Sequence, residues 1–249
     1  MPLIASDLAL YGSTGRPLDD SSLVGGGIDT GARPISMQLS SAQAIEVISS
    51  SSGDTRTASI LYRTTDGGTL LWSPTIAGTC AVALSTGTPN HILRAELSSA
   101  HATRTVTLRV SSGAMIHTIN PGEYGAFALF PYSYSKVSSA MVRYEKVFVL
   151  NLSTDTALQS GTLQITSDAS TQFRLGVESA VGATGQWANR LTTAGGNFTM
   201  GDTGTVALPA SLGASQAIGI AIEQTLAAGA SERQPTFLLT AAGLSLAAT

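Results

Sequence analysis

Three histidines, one cysteine and 16 acidic residues are the raw material for chemistry in this 249-residue chain. His91, His101 and His117 lack the i, i+2 or i, i+4 spacing that puts two imidazoles on one metal ion. Asp19 and Asp20 with Asp29 could meet a Ca²⁺ ion, but the alternating acidic ladder of a calcium loop is missing, and turn or cap use fits the pair better. Glu46 with Glu96 supplies two carboxylates of the kind a glycosidase holds across a cleft, yet no motif selects them. No G-x-S-x-G elbow occurs, and Gly25-Gly26-Gly27 lacks the following helix and lysine of a phosphate cradle. Cys80, in the run Thr79-Cys80-Ala81-Val82-Ala83-Leu84, has no basic neighbour and reads as a small buried hydrophobe. The expectation is a protein that is not an enzyme, with no catalytic residue, cofactor or metal.

The background that would have to position such residues is poor in charge. Charged residues make up 12% of the chain, about half the globular norm, and mean hydropathy is +0.22. Such a surface has little to repel neighbours with and suits packing against other subunits. The net charge is -3 and the arginines are scattered, which argues against nucleic acid as a partner. Arg104 and Arg109 have opposite parity, so on one strand they point to opposite faces. The N-terminus lacks a cationic leader and carries Asp7 in its apolar part, so no secretory signal is expected. No apolar run approaches the roughly 18 residues of a membrane span. Synthesis in a cytosol, with no membrane partner, is the expectation.

Residues 4–34 show neither a period of two nor one of 3.6, only short apolar pairs among Gly, Pro, Ser and Asp. They read as an extended arm over residues 1–34 that lies along something else, with Leu8, Tyr11, Arg16, Leu18, Asp19, Asp20 and Ile28 as its candidate assembly contacts.

Alternation begins at Ile35, Met37 and Leu39 and continues through Ile45 and Val47. Residues 57–63 and 69–72 flank Asp66-Gly67-Gly68, which makes them an antiparallel hairpin with Asp66 as a turn residue. Residues 80–84, 92–97, 105–110, 114–119 and 124–130 add strands, giving roughly eight in a first β-sandwich over 35–131. Phe130, Tyr132 and Tyr134 share one parity around Pro131; this strip reads as a packed linker with Tyr132 and Tyr134 as interface candidates, or as an aromatic sugar platform. Residues 143–152 are apolar on both faces and read as a central strand. Residues 163–165, 173–177, 205–208 and 217–224 continue a second sandwich over 132–249, with 236–240 expected to pair with 217–224 and 179–204 as an irregular insertion. The fold class is therefore all-β, with two β-sandwich domains, Ig-like or jelly-roll-like, preceded by the arm.

Ile4-Ala5-Ser6-Asp7-Leu8, Tyr11-Gly12-Ser13, Asp19-Asp20 and Gly25-Gly26-Gly27-Ile28-Asp29 resemble the start of a group of tailed-bacteriophage virion proteins. Residues 46–50, Gly53-Asp54-Thr55, a hairpin over 92–110, and 217–230 with 236–239 are similar to the strand and turn patterns of the same group. The resemblance implies a non-enzymatic structural protein of the virion, made in the bacterial host cytoplasm. Its implied role is a capsid decoration or cement protein that binds the major capsid protein or other virion proteins through the arm and sandwich edges. It is expected as a symmetric homo-oligomer, with a trimer favoured. A collar, tail or fibre-anchoring protein is the alternative within that class; a carbohydrate-binding or carbohydrate-cleaving β-sandwich is the alternative outside it.

Overall fold

In the computed structural model the described residues are 7–16, 18–85, 87–131, 139–165, 173–192, 194, 198–201 and 205–228, with backbone alone for 239–247. They form strands, turns and bends, with no α-helix among them. The chain opens with β1 (Leu8–Gly15) and β2 (Val24–Asp29). It continues through β3 (Ala32–Pro34), β4 (Ile45–Ser49), β5 (Ala58–Thr64), β6 (Thr69–Trp72), β7 (Val82–Ala83), β8 (Pro89–Leu97), β9 (Val106–Val110), β10 (Met115–Ile119) and β11 (Gly125–Phe127). The last part holds β12 (Met141–Asn151), β13 (Thr156–Ile165), β14 (Phe173–Glu178), β15 (Gln186–Trp187), β16 (Phe198–Met200), β17 (Thr205–Ala207), β18 (Ser211–Leu212), β19 (Ala217–Leu226) and β20 (Leu239–Ala247).

Two compact units result: Thr30–Pro131, and Met1–Asp29 together with Tyr132–Thr249. The middle unit has a five-stranded sheet, β3-β11-β8-β5-β6, and a four-stranded sheet, β10-β9-β4-β7. Alternation explains both. Ala58, Ile60 and Tyr62 of β5 and Ile92, Ala95 and Leu97 of β8 share one buried cluster with Ile45, Val47, Val106, Leu108, Val110, Ile116 and Ile119 of the other sheet. The predicted hairpin is β5–β6, in register Leu61 with Leu71. Its turn has Gly67 at φ 84°, and Asp66 accepts the Gly68 N–H through Oδ1. Residues 35–37 stitch the sheets together: Ile35 N–H donates to Phe127 O and Met37 N–H to Ile116 O.

The other unit is built on a seven-stranded sheet, β15-β2-β1-β12-β19-β14-β16. Its centre is β12, the strand read as covered on both faces, with Val147, Phe148 and Val149 all buried. A smaller sheet places β13 between β17 with β18 on one side and β20 on the other. Asn151, at the end of β12, donates through Nδ2 to the carbonyls of Thr156, Leu212 and Gly213 and so fixes the turn into that sheet.

Three expectations are corrected. The extended arm is instead two strands of the seven-stranded sheet, Leu8 opposite Asn151 and Tyr11 opposite Phe148, with Ile28 opposite Ser13. Its glycines hid the pattern: Gly25 and Gly26 sit at φ 95° and 96°, at a register shift between Ser13 and Gly15, where a side chain at Gly25 would run into Gly185 O. Secondly, β20 pairs with β13, not with residues 217–224, because both edges of β19 are already taken by β12 and β14. Residues 236–238 of that expectation lie outside the described residues. Thirdly, β8 and β9 belong to different sheets rather than one hairpin, and Cys80 is exposed in a tight turn where its N–H donates to Ala77 O.

Candidate functional site

The densest concentration of charge is in the middle of the seven-stranded sheet, on Arg143-Tyr144-Glu145-Lys146 of β12. All four are buried. Alternation sends Tyr144 and Lys146 to one face and Arg143 and Glu145 to the other.

On the first face, Lys146 Nζ donates to Glu178 Oε1 at 2.9 Å, and neither side chain has any solvent exposure (0% and 0%). Ammonium protons also reach Gly26 O at 3.1 Å, Gly185 O at 3.2 Å and Ala183 O at 3.4 Å. Gly185 N–H donates back to Glu178 Oε1 at 3.0 Å. The ammonium lies 4.7 Å from the centre of the Phe148 ring and 5.5 Å from that of Phe198, which in turn meets Trp187 edge-on at 5.5 Å. Burial pushes the Lys146 pKa below its ordinary value, while the hydrogen bond and charge of Glu178 work in the opposite direction.

Space for this pair comes from small residues. Lys146 is opposite Ala221 and Phe148 opposite Gly219 on β19, and Gly176 of β14 is opposite Ala221. A Cβ on Gly219 would strike Glu178 Oε2 and Lys146 Cε. Further along the same face Arg174 approaches Glu223 at 3.4 Å, and Tyr144, buried and hydrogen-bonded to Glu223, has its phenol pushed up to about 12.

On the second face, Arg143 grips Asp20 through two bonds, Nε to Oδ1 at 2.9 Å and Nη2 to Oδ2 at 2.7 Å. Arg190 donates to Glu145 Oε1 at 2.5 Å, to Leu18 O at 3.5 Å, and lies 4.0 Å from Asp20. The segment between β1 and β2 is thereby clamped to β12. Asp19 Oδ1 accepts the backbone N–H groups of Ser21 and Ser22, a turn role that holds its carboxyl below the ordinary range. Arg16 donates to Ser13 O and to Asp29 Oδ2 at 2.7 Å. The polar groups of Arg16, Asp19 and Asp20, and the carbonyl of Leu18, therefore make contacts inside the unit; Leu8, Tyr11 and Ile28 are ladder positions. Tyr132 and Tyr134 lie outside the described residues.

The remaining candidates are held apart. Glu46 pairs with Arg109 at 2.6 Å on the four-stranded sheet of the middle unit, and Glu96 sits 3.5 Å from Arg94 on the five-stranded one. Arg104 donates to Gly53 O. His101 Nδ1 accepts the Thr103 N–H, His117 Nδ1 accepts the Ser36 N–H, and His91 faces Arg63 across β5 and β8. Among the described residues no group of three His, Cys, Asp or Glu side chains is placed to hold a metal ion. No helix among them is long and apolar enough to cross a membrane.

Chemically, the Lys146–Glu178 pair is a pin rather than a reactive centre. An ammonium engaged by one carboxylate and three carbonyls has no lone pair to offer, and with no exposed atom it has no route to a substrate. The sequence reading passed over Arg143, Glu145, Lys146, Glu178 and Arg190. The signal was present all the same: a strand apolar on both faces that carries Arg, Glu and Lys must supply each with a buried partner.

No family model matches the chain, and no curated protein matches it. Among solved structures, three of Bacillus subtilis oxalate decarboxylase align over most of the chain with little agreement. One is 7% identical with a TM-score of 0.17, covering 98% of this chain and 79% of that chain. A second is 8% identical with a TM-score of 0.18 over the same shares. A third is 9% identical with a TM-score of 0.18, covering 91% and 79%. Likeness at that level carries no argument about fold or function.

Proposed function

We propose that this chain is a non-enzymatic structural component of a tailed-bacteriophage particle, a capsid decoration protein that contacts the major capsid protein or other virion proteins as a symmetric homo-oligomer. The observation that carries the reading is how the buried charge is used: Lys146, Glu178, Arg143, Asp20, Glu145 and Arg190 all engage one another or backbone carbonyls, which stiffens a sheet and leaves none of them for turnover. The resemblance of the N-terminal segments to phage virion proteins supplies the class of assembly.

In this reading both units are β-sandwich domains, the middle one with two sheets closed over a shared core. Attachment runs through sheet edges. The arm loses its assigned role, since residues 8–29 complete the seven-stranded sheet and their removal would open an edge of β12.

Cryo-electron microscopy and mass spectrometry of purified particles test the reading. Density matching the two units at symmetry-related sites on the head is the expected result. Density at the neck or tail would favour the collar or fibre-anchoring alternative, and absence of the chain from intact particles would overturn the proposal.

A further inference from the structure

The end strand of a sheet offers unpaired backbone groups to any passing strand unless it is short, bulged or guarded by charge or proline. Most described edges here meet that condition. In the middle unit β3 is three residues with Arg33 and Pro34, β7 is two residues, and β10 is irregular between Met115 and His117. In the seven-stranded sheet the ends are β15 and β16, of two and three residues.

The strand β6 meets none of these conditions. It pairs with β5 alone, without a register shift, and Thr69-Leu70-Leu71-Trp72 contains no charge and no proline. Thr64 N–H donates to Gly68 O and Ala58 N–H to Pro74 O, so with the β5–β6 register the even-numbered residues of this stretch bond to β5. The N–H and C=O groups of Thr69, Leu71 and Ser73 therefore point away from the sheet. Leu71, 63% exposed, and Leu70, 48% exposed, stand on opposite faces of the strand.

We infer that β6 is a docking edge for a second copy of this chain, antiparallel about a two-fold axis through Leu71. That register matches the three outward-facing residues to one another, Leu71 with the partner's Leu71 and Thr69 with the partner's Ser73. It also sets Leu70 beside the partner's Trp72. The pairs are aliphatic with aliphatic, hydroxyl with hydroxyl and aliphatic with aromatic, each a favourable cross-strand combination, and no like charges meet. Backbone bonding selects a strand as occupant, and this strand is complementary to itself. Because pairing consumes the same edge on both copies, the contact closes as a dimer, in place of the trimer first expected. The inference does not rest on membership of a phage particle.

Light scattering after size exclusion tests it, with three chains. The unaltered protein is expected at twice the 25.4 kDa chain mass, and Leu71→Lys at the single mass with an unchanged far-ultraviolet spectrum. Should Leu71→Lys fail to fold, the third chain decides: Leu71→Cys with Cys80→Ser, which removes the exposed native thiol. Directly opposed residues of a bonded pair lie about 5.5 Å apart at Cα, within disulfide reach, so mild oxidation is expected to give a covalent dimer. A single-mass native protein, a Leu71→Lys chain that remains dimeric, or absence of the covalent dimer would overturn the inference. Virion content plays no part in these readouts, so a failure here is distinct from a failure of the particle reading.

Discussion

Lys146 and Glu178 meet at 2.9 Å across a strand that lies between them: β12 carries the lysine, β14 the glutamate, and β19 separates the two. They touch because β19 presents only Gly219 and Ala221 to that face at their level. The ion pair thus ties three strands side to side, and its extra protons tie β2 and the 183–185 turn to the same point.

Removing the lysine alone leaves a buried carboxylate with one backbone donor. Lys146→Met is expected to cost roughly 3–5 kcal/mol, as for other broken buried pairs, while Lys146→Met with Glu178→Leu recovers most of the loss. The two tryptophans make the measurement clean, since Trp72 belongs to the middle unit and Trp187 to the other. Urea unfolding followed through Trp187 in a Trp72→Phe background should show the effect. A double variant no more stable than Lys146→Met would refute the pairing argument.

Gly219 is the residue that makes the crossing possible. Its substitution by alanine adds a methyl where Glu178 Oε2 and Lys146 Cε already are, neither of which can retreat into solvent. Gly219→Ala is expected to destabilise by about 1–3 kcal/mol, the usual cost of overpacking. Gly182→Ala is the contrast: a side chain there meets nothing within 4 Å, and the cost is backbone strain alone at φ 71°. If Gly219→Ala unfolds at the same urea concentration as the parent, the crowding argument fails.

Why the middle unit was legible and the N-terminal strands were not comes down to what each position does. Residues 58–62, 106–110 and 45–47 face one core from one side, so period two survives in the sequence. The strand β1 is flanked by β2 and β12 and has buried residues on both faces, and β2 spends three of its six positions on glycine for a bulge against the 183–186 segment. Neither leaves an alternating trace, and glycine reads as loop. Lys146 and Glu178 are 32 positions apart, and their partnership depends on β19 arriving between them from further along the chain. Local pattern contains no sign of that.

Asp20 decides how firmly the segment between β1 and β2 is held. Its carboxylate is 27% exposed, so water competes for its two bonds to Arg143, and Asp20→Ala is expected to cost only about 1 kcal/mol globally. Locally the change should be larger. Hydrogen exchange of residues 18–23 is expected to accelerate severalfold, with β12 amides unaffected. Unchanged exchange in that segment would mean that the clamp resides in Arg190 and Leu18 instead.

The last prediction concerns acid. His117 is buried in the middle unit, its Nδ1 accepting the Ser36 N–H at 3.2 Å and facing Ser36 Oγ at 2.9 Å. Accepting requires that Nδ1 carry no proton, so the neutral ring is the form that fits. Burial, with the nearby Arg33 charge adding to it, lowers the pKa from 6.5 to about 4. The unfolded chain therefore takes up a proton first: the histidine's contribution is complete above pH 6.5 and is lost as pH falls toward about 4. A difference of about 2.5 units is worth about 3 kcal/mol. Asp54 also loses its contribution in acid, since its bonds to Arg56 and Ser49 hold its carboxyl far below 3.8, but that loss starts below the histidine's window. Unfolding followed through Trp72 in a Trp187→Phe background should thus lose stability between pH 6.5 and 4.5. In His117→Asn, whose amide oxygen can take the Ser36 N–H without titrating, the same interval should be flat. Equal slopes in the two proteins would place the acid sensitivity elsewhere.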